Sequence, residues 1–249
     1  MTNKEILKWT LTTILVLIGV YVLIRLGFWQ LDRLESRRLF NQHYLEQKSS
    51  PSINLNDEIN FQELINMEYR EVSVSGFYDF KNEIYLQNQA FENIPGYRVV
   101  TPLRIENSEN LVYIERGWVS FEDLKIIDAI NSNYTHHQNL RGIIRLPQSE
   151  SDFCGKSSNA SESNSKFFLY VDLDLLNTEL DYGLLPIYIQ LNGEKNDQKP
   201  YSKLTEIEIN EGPHFGYAIQ WFFFASLLGI GYPFFVRKQI WGEKNRSSE

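Results

Sequence analysis

Two long apolar stretches, one near each end of the chain, constrain what it can fold into more than any other feature. Residues 6–26 read ILKWTLTTILVLIGVYVLIRL, with no charge between Trp9 and Ile24. Residues 215–236 read FGYAIQWFFFASLLGIGYPFFV, again uncharged, and stop at Arg237 and Lys238. About 20 residues at about 1.5 Å each cover a hydrocarbon layer of roughly 30 Å, so each stretch is long enough to span a bilayer as a helix. Lys8 and Arg25 lie at the ends of the first, where long side chains reach water. No small-x-small cleavage site follows it, so an uncleaved anchor is expected rather than a signal peptide.

Charge orients the two spans. Residues 1–30 hold three Lys or Arg against one acid, and 214–249 hold four against two. Taken from totals of 24 basic and 32 acidic residues, this leaves 17 and 29 in residues 31–213, about −12. The positive-inside rule then places both termini in the cytoplasm and the middle region outside. An acidic domain of this kind excludes nucleic acid as the expected partner. Cys154 is the only cysteine, which leaves no intramolecular disulfide and no CxxC or CxxxC copper or redox motif. No transit peptide is expected before the first span. The expected location is a bacterial inner membrane, multi-pass, with the central domain in the periplasm.

The expected organisation is a first span at 6–26, a helical stalk at 27–50, a periplasmic domain at 51–213, a second span at 215–236 and a cytoplasmic tail at 237–249. The stalk follows from the absence of Gly and Pro between Phe28 and Lys48. From about Tyr69 the pattern changes to short runs of Val, Ile, Tyr and Phe bounded by Gly, Pro, Asn and Asp, the signature of strands. Strands are expected around Val72–Val74, Ile84–Leu86, Tyr97–Leu103, Leu111–Val119, Leu140–Leu146, Phe167–Val171, Pro186–Leu191 and Tyr201–Ile209. The fold class is therefore an α+β membrane protein, with an antiparallel β-rich domain, a sheet or small barrel. Short helices are expected at Glu122–Ile130 and at Asp172–Leu180, the second capped by Asp172. Residues 148–166, rich in Ser and Asn, read as a long surface loop whose Asn159 sequon is close to a chance match.

Chemistry-bearing motifs are few. There is no G-x-S-x-G, HExxH, P-loop or G-x-G-x-x-G, and no acid–base pair, so the chain does not read as an enzyme. Of four histidines, His43 belongs to the stalk and His136-His137 to a polar loop. His214 stands at the start of the second span. On a helix, Ala218, Trp221, Ala225 and Gly229 follow it along one mostly small face. That face suits close packing against the first span through Gly19. The sharper, less favoured reading of the same spacing is a flat apolar cofactor there, its iron ligated by the His214 imidazole. Arg116-Gly117-Trp118, Gly96-Tyr97 and Thr101-Pro102 read as turn chemistry with a surface ion-paired arginine.

Five motifs in order resemble the Surfeit locus protein 1 family of cytochrome c oxidase assembly factors. Gly27 to Arg33 matches G-x-W-Q-L-x-R through Trp29, Gln30 and Arg33. Gly76 and Tyr78 match G-x-Y. Gly96 to Leu103, with Tyr97 and Pro102, matches G-Y-x-V-x-T-P-L, and Arg116, Gly117 and Trp118 match R-G-W. His214, Tyr217, Ala218, Gln220, Trp221 and Phe222 match H-x-x-Y-A-x-Q-W-F. The resemblance implies an assembly factor that holds haem a for subunit I of the oxidase, with His214 as iron ligand and Tyr217, Ala218 and Trp221 beside it. It further implies haem A synthase as a second partner, and no free metal. The alternative is a haem-free scaffold that docks on oxidase subunits through the turns around Arg116 and Gly96.

Overall fold

The computed structural model describes residues 3–57, 60–147, 166–177, 183–193, 199–202 and 207–246. Cys154, the Asn159 sequon and nearly all of the expected loop at 148–166 lie outside these residues. Two compact units account for the chain, one made of residues 1–43 and 208–249, the other of residues 44–207.

The first unit consists of α1 (Asn3–Ser49) and α5 (His214–Arg246), named here in chain order with the elements below. The helix continues from the apolar stretch into the stalk without a break, as the absence of Gly and Pro predicts. Its contacts with α5 run in opposite directions along the two sequences. Gln30 meets His214, Phe28 meets Phe222 edge-on at 5.4 Å, and Thr12 and Thr13 meet the Tyr232 hydroxyl. Trp9 ends the series against Phe235. A Cβ added at Gly27 would fall 2.6 Å from the Phe222 ring, so glycine admits the aromatic there. Both helices are long and apolar enough to cross a membrane, and only 6 % of either apolar window is buried within the chain. That exposure separates them from the core helices of a soluble protein.

The second unit is a β-rich domain. Its strands are β1 (Ile53–Asn54), β2 (Glu71–Tyr78), β3 (Ile84–Phe91), β4 (Ile94–Ile105), β5 (Asn110–Ser120), β6 (Gln138–Arg145), β7 (Phe167–Phe168) and β8 (Gly183–Leu191). They pair in the order β1-β2-β6-β8-β5-β4-β3-β7, and an additional β2–β4 pairing closes β2, β6, β8, β5 and β4 into a five-stranded barrel. The barrel pairings are antiparallel except β5–β8. Closure occurs at Gly76, which pairs with Gln138 on one side and Ile105 on the other. A Cβ at Gly76 would sit 2.0 Å from the Arg104 carbonyl oxygen, so only glycine lets the ring close this tightly.

Period-two alternation fills the barrel. Val72 and Val74, Leu103 and Ile105, Val112 and Ile114, Ile144, and Leu185, Ile187 and Ile189 share one core with Leu55 and Leu64. Full burial of each such side chain is worth about 1.5–3 kcal/mol. Outside the barrel, Ile84, Leu86, Val100 and Tyr113 pack with Phe168, Val171, Leu173 and Leu176.

Three local expectations are corrected. The helix expected at 122–130 is two, α2 (Phe121–Leu124) and α3 (Ile127–Asn131), because a Ser120–Asp123 capping box starts the first and Ile126 leaves helical geometry. The strand expected at 167–171 stops at Phe168, where Tyr170 and Val171 turn into the core. Asp172 then caps α4 (Leu173–Asn177) by accepting from Leu175 N. Of the strand expected at 201–209, residues 203–206 lie outside the described residues, and the described ones show a bridge between Tyr201 and Trp118 with no strand at 207–209. The Glu208 and Asn210 carbonyls instead accept from Arg37 and Asn41 side chains of α1.

Candidate functional site

His214 is positioned from both sides in sequence. Arg37 Nε and Asn41 Nδ2 donate to the Asn210 carbonyl, and Arg37 Nη2 donates to that of Glu208. Arg38 forms a two-pronged ion pair with Glu211 at 2.9 Å. These bonds lay residues 208–211 along α1. Gly212, at φ +67°, then turns the chain into α5, a backbone conformation that favours glycine.

The His214 ring is half-buried, and its Nδ1–H donates to Gln30 Oε1 at 2.9 Å. An amide oxygen only accepts, so this bond places the proton on Nδ1 and the lone pair on Nε2. A Cβ at Gly212 would lie 3.3 Å from Nε2 and 3.2 Å from Cδ2; glycine therefore keeps that edge of the ring clear. Phe215 and Tyr217 are exposed in the first turn. A held imidazole with its lone pair on Nε2 is of the donor type that could ligate a haem iron. The small face that follows does not stay open, since Ala218 is 1 % and Ala225 5 % exposed, spaced among the contacts to α1. Trp221 is half-buried with an unpartnered Nε1, while Gln220 is exposed. Trp29 is exposed on α1 beneath the Arg33 guanidinium, 5.7 Å from the ring centroid. Thus the first and last sequence motifs meet at Gln30 and His214, 184 residues apart.

The remaining motif residues gather in the barrel domain. Arg116 and Trp118, expected at an exposed turn, are buried at 2 % and 5 %. They lie inside β5, because Gly117 forms a bulge there at φ +137° and not a turn. A Cβ at Gly117 would meet the Tyr201 carbonyl oxygen at 2.5 Å. That close approach allows paired hydrogen bonds between Trp118 and Tyr201. Gly96 is equally tight, with its missing Cβ 2.2 Å from the Val119 oxygen. Tyr97 packs on Phe121 and Phe167, and the Pro102 carbonyl accepts from Asp79 N.

Arg116 belongs to a buried polar network that local sequence did not reveal. Its Nη1 donates to Glu83 Oε2 at 3.0 Å and to Asn131 Oδ1 at 2.6 Å. Glu83 also accepts from Thr101 at 2.6 Å, Tyr85 at 2.9 Å and Asn131 at 3.1 Å. The guanidinium lies over the rings of Tyr134, Tyr78 and Phe80 at 4.6, 5.0 and 5.4 Å. Burial, aided by Glu83, pushes the Tyr85 phenol up, so it remains a proton donor. Burial likewise raises Tyr78, against the opposing field of Arg116. Such a pair needs nearly every donor and acceptor satisfied to persist in a low-dielectric interior.

Among the described residues, no three His, Cys, Asp or Glu side chains gather into a metal site. A sequence model described as the SURF1 family matches residues 17–226. A SURF1-like protein of Rickettsia bellii is 28 % identical over 233 residues, covering 91 % of each chain. Another, of Rickettsia prowazekii, is 29 % identical over 225 residues, covering 88 % of this chain and 86 % of its own. A SURF1-like protein of Caenorhabditis elegans is 23 % identical over 242 residues, covering 88 % and 72 %. With the match running from within α1 to within α5 and across the whole barrel between them, the chain belongs to the SURF1 family.

Proposed function

We propose that this chain serves the assembly of cytochrome c oxidase, and that His214 holds haem a for delivery to subunit I. Family membership supports the assembly role. The observation that carries the haem assignment is the His214 ring, anchored at Nδ1 on Gln30 with its Nε2 edge cleared by Gly212. In this reading α1 and α5 cross a bacterial inner membrane, both termini are cytoplasmic, and the barrel domain is periplasmic. The apolar outer surfaces of both helices and the basic ends of the chain support that arrangement.

Bound haem a supplies a redox-active iron on a macrocycle with a long apolar tail. The chain's own residues hold and orient it. Gln30 keeps the His214 proton on Nδ1, so Nε2 is the donor atom, and the Arg37, Arg38 and Asn41 bonds fix the segment that carries the ring. Haem A synthase is the expected source of the cofactor, and the membrane lipid the surrounding medium.

The test is an absorption spectrum of detergent-purified protein coexpressed with the haem A biosynthetic enzymes, beside a His214→Ala variant. A stoichiometric haem a signal lost in the variant is expected. Equal haem content in both proteins contradicts the ligand assignment. Haem in neither, with copurified oxidase subunits, favours a haem-free scaffold.

A further inference from the structure

In the barrel domain one buried charged donor stands beside a cavity without an acceptor. Arg116 Nη2 makes no hydrogen bond, although Arg116 is only 2 % exposed. Leaving such a group unsatisfied costs about 1–3 kcal/mol, more when it is charged. Arg116 also lines a cavity of about 450 Å³, together with Tyr78, Tyr134, Asn139, Arg141 and Asn192 among others. That volume is in the range of small-ligand sites.

Among the described residues, the lining holds two arginines and no carboxylate. Tyr78 and Tyr134 lie within cation–π distance of the Arg116 guanidinium, and Glu83 and Asn131 occupy Nη1. The plane of the group is thereby held before anything binds. Arg141 is exposed and brings a second cation. Asn139 Oδ1 already accepts from Ser75, which leaves its amide N–H groups for another acceptor. Because Glu83 balances the charge of Arg116, the described lining carries one net positive charge. One net charge and a few directed donors suit a carboxylate; a phosphate dianion would face Glu83 across the same guanidinium.

We propose that this cavity is a carboxylate-binding site in which Arg116 Nη2 is the buried donor and Arg141 the charge at the rim. The site is independent of the haem reading and uses residues of the barrel domain alone. The carboxylate is that of a free organic acid or of a peptide end, two sources with one chemistry.

Saturation-transfer NMR on the full chain in detergent tests it, with propionate, a capped alanine dipeptide bearing a free carboxyl end, and the same dipeptide as its amide. Saturable binding of propionate identifies a free acid as sufficient. Clearly tighter binding of the dipeptide acid identifies a peptide end. Arg141→Gln is expected to weaken either about tenfold without altering thermal unfolding. Arg116→Lys, which keeps the charge but loses the second donor edge, is expected to abolish binding. Should Arg116→Lys fail to fold, the Arg141→Gln result and the acid–amide comparison carry the test. Equal binding of acid and amide, binding unchanged in Arg141→Gln, tighter binding of inorganic phosphate, or no saturable binding overturns the proposal.

Discussion

The two units use the same residue types to opposite ends. In the barrel, Leu103, Ile187 and Ile189 are wholly buried; in the helix pair, Leu7, Leu15 and Phe234 are about two-thirds exposed. Their polar groups differ in the same sense. The barrel buries a full ion pair, Glu83 with Arg116, and supplies it with Thr101, Tyr85 and Asn131. Over the apolar stretches of the helix pair, the polar contacts described between α1 and α5 are those of Thr12 and Thr13 with Tyr232. A protein core in water is stabilised by removing apolar area from solvent. Helices in lipid have no such gain between them and depend on close packing and a few hydroxyl bonds. Mutations should therefore act through different terms in the two units.

The largest contrast comes from the barrel. Glu83→Gln leaves the Arg116 charge buried without its counter-ion, and a loss of about 3–5 kcal/mol is expected. Chemical unfolding of the full chain in detergent, followed by tryptophan fluorescence, checks this. A double replacement of Glu83 by Gln and Arg116 by Met should recover part of the loss, since the apolar partner needs no compensation. A loss below about 1 kcal/mol for the single variant would mean that the network is solvated and the comparison fails at its strongest point.

An intermediate effect is expected at the helix pair's own candidate site. Gln30→Leu removes the acceptor that holds His214, and haem affinity should fall about 10- to 100-fold, the usual effect of losing such a support. Haem titration of the purified apoprotein measures it, and the helical content should not change. The smallest effect is Tyr232→Phe, which deletes the hydroxyl between Thr12 and Thr13 and should cost about 0.6 kcal/mol. Unfolding in mixed micelles would detect it, and a loss of several kcal/mol there would show that the helices depend on polar bonds as the barrel does.

What could be read from sequence follows the same division. The apolar stretches and the unbroken stalk are local properties, so α1 and α5 are legible from composition alone. The alternation at Val72–Val74 and Leu185–Ile189 likewise announces strands with one buried face. Barrel closure through β2 and β4 and the parallel pairing of β8 are not legible, because register between distant strands leaves no local pattern. Arg116 before Gly117 looks like a turn until the bulge and its partners at 83, 101 and 131 are known. His214 stands out as a candidate by its place before an apolar stretch. Its pairing with Gln30 is not legible, since nothing in either motif names the other.

The central claim is that the imidazole of His214 is the iron ligand, and chemical rescue addresses it most directly. A His214→Gly variant, purified with haem A supply, is examined by absorption spectroscopy with and without added imidazole. The account predicts loss of the haem a signal in the variant and its return, with an imidazole-ligated spectrum, when imidazole is added. Haem a bound in full by the variant before any imidazole is added would contradict it.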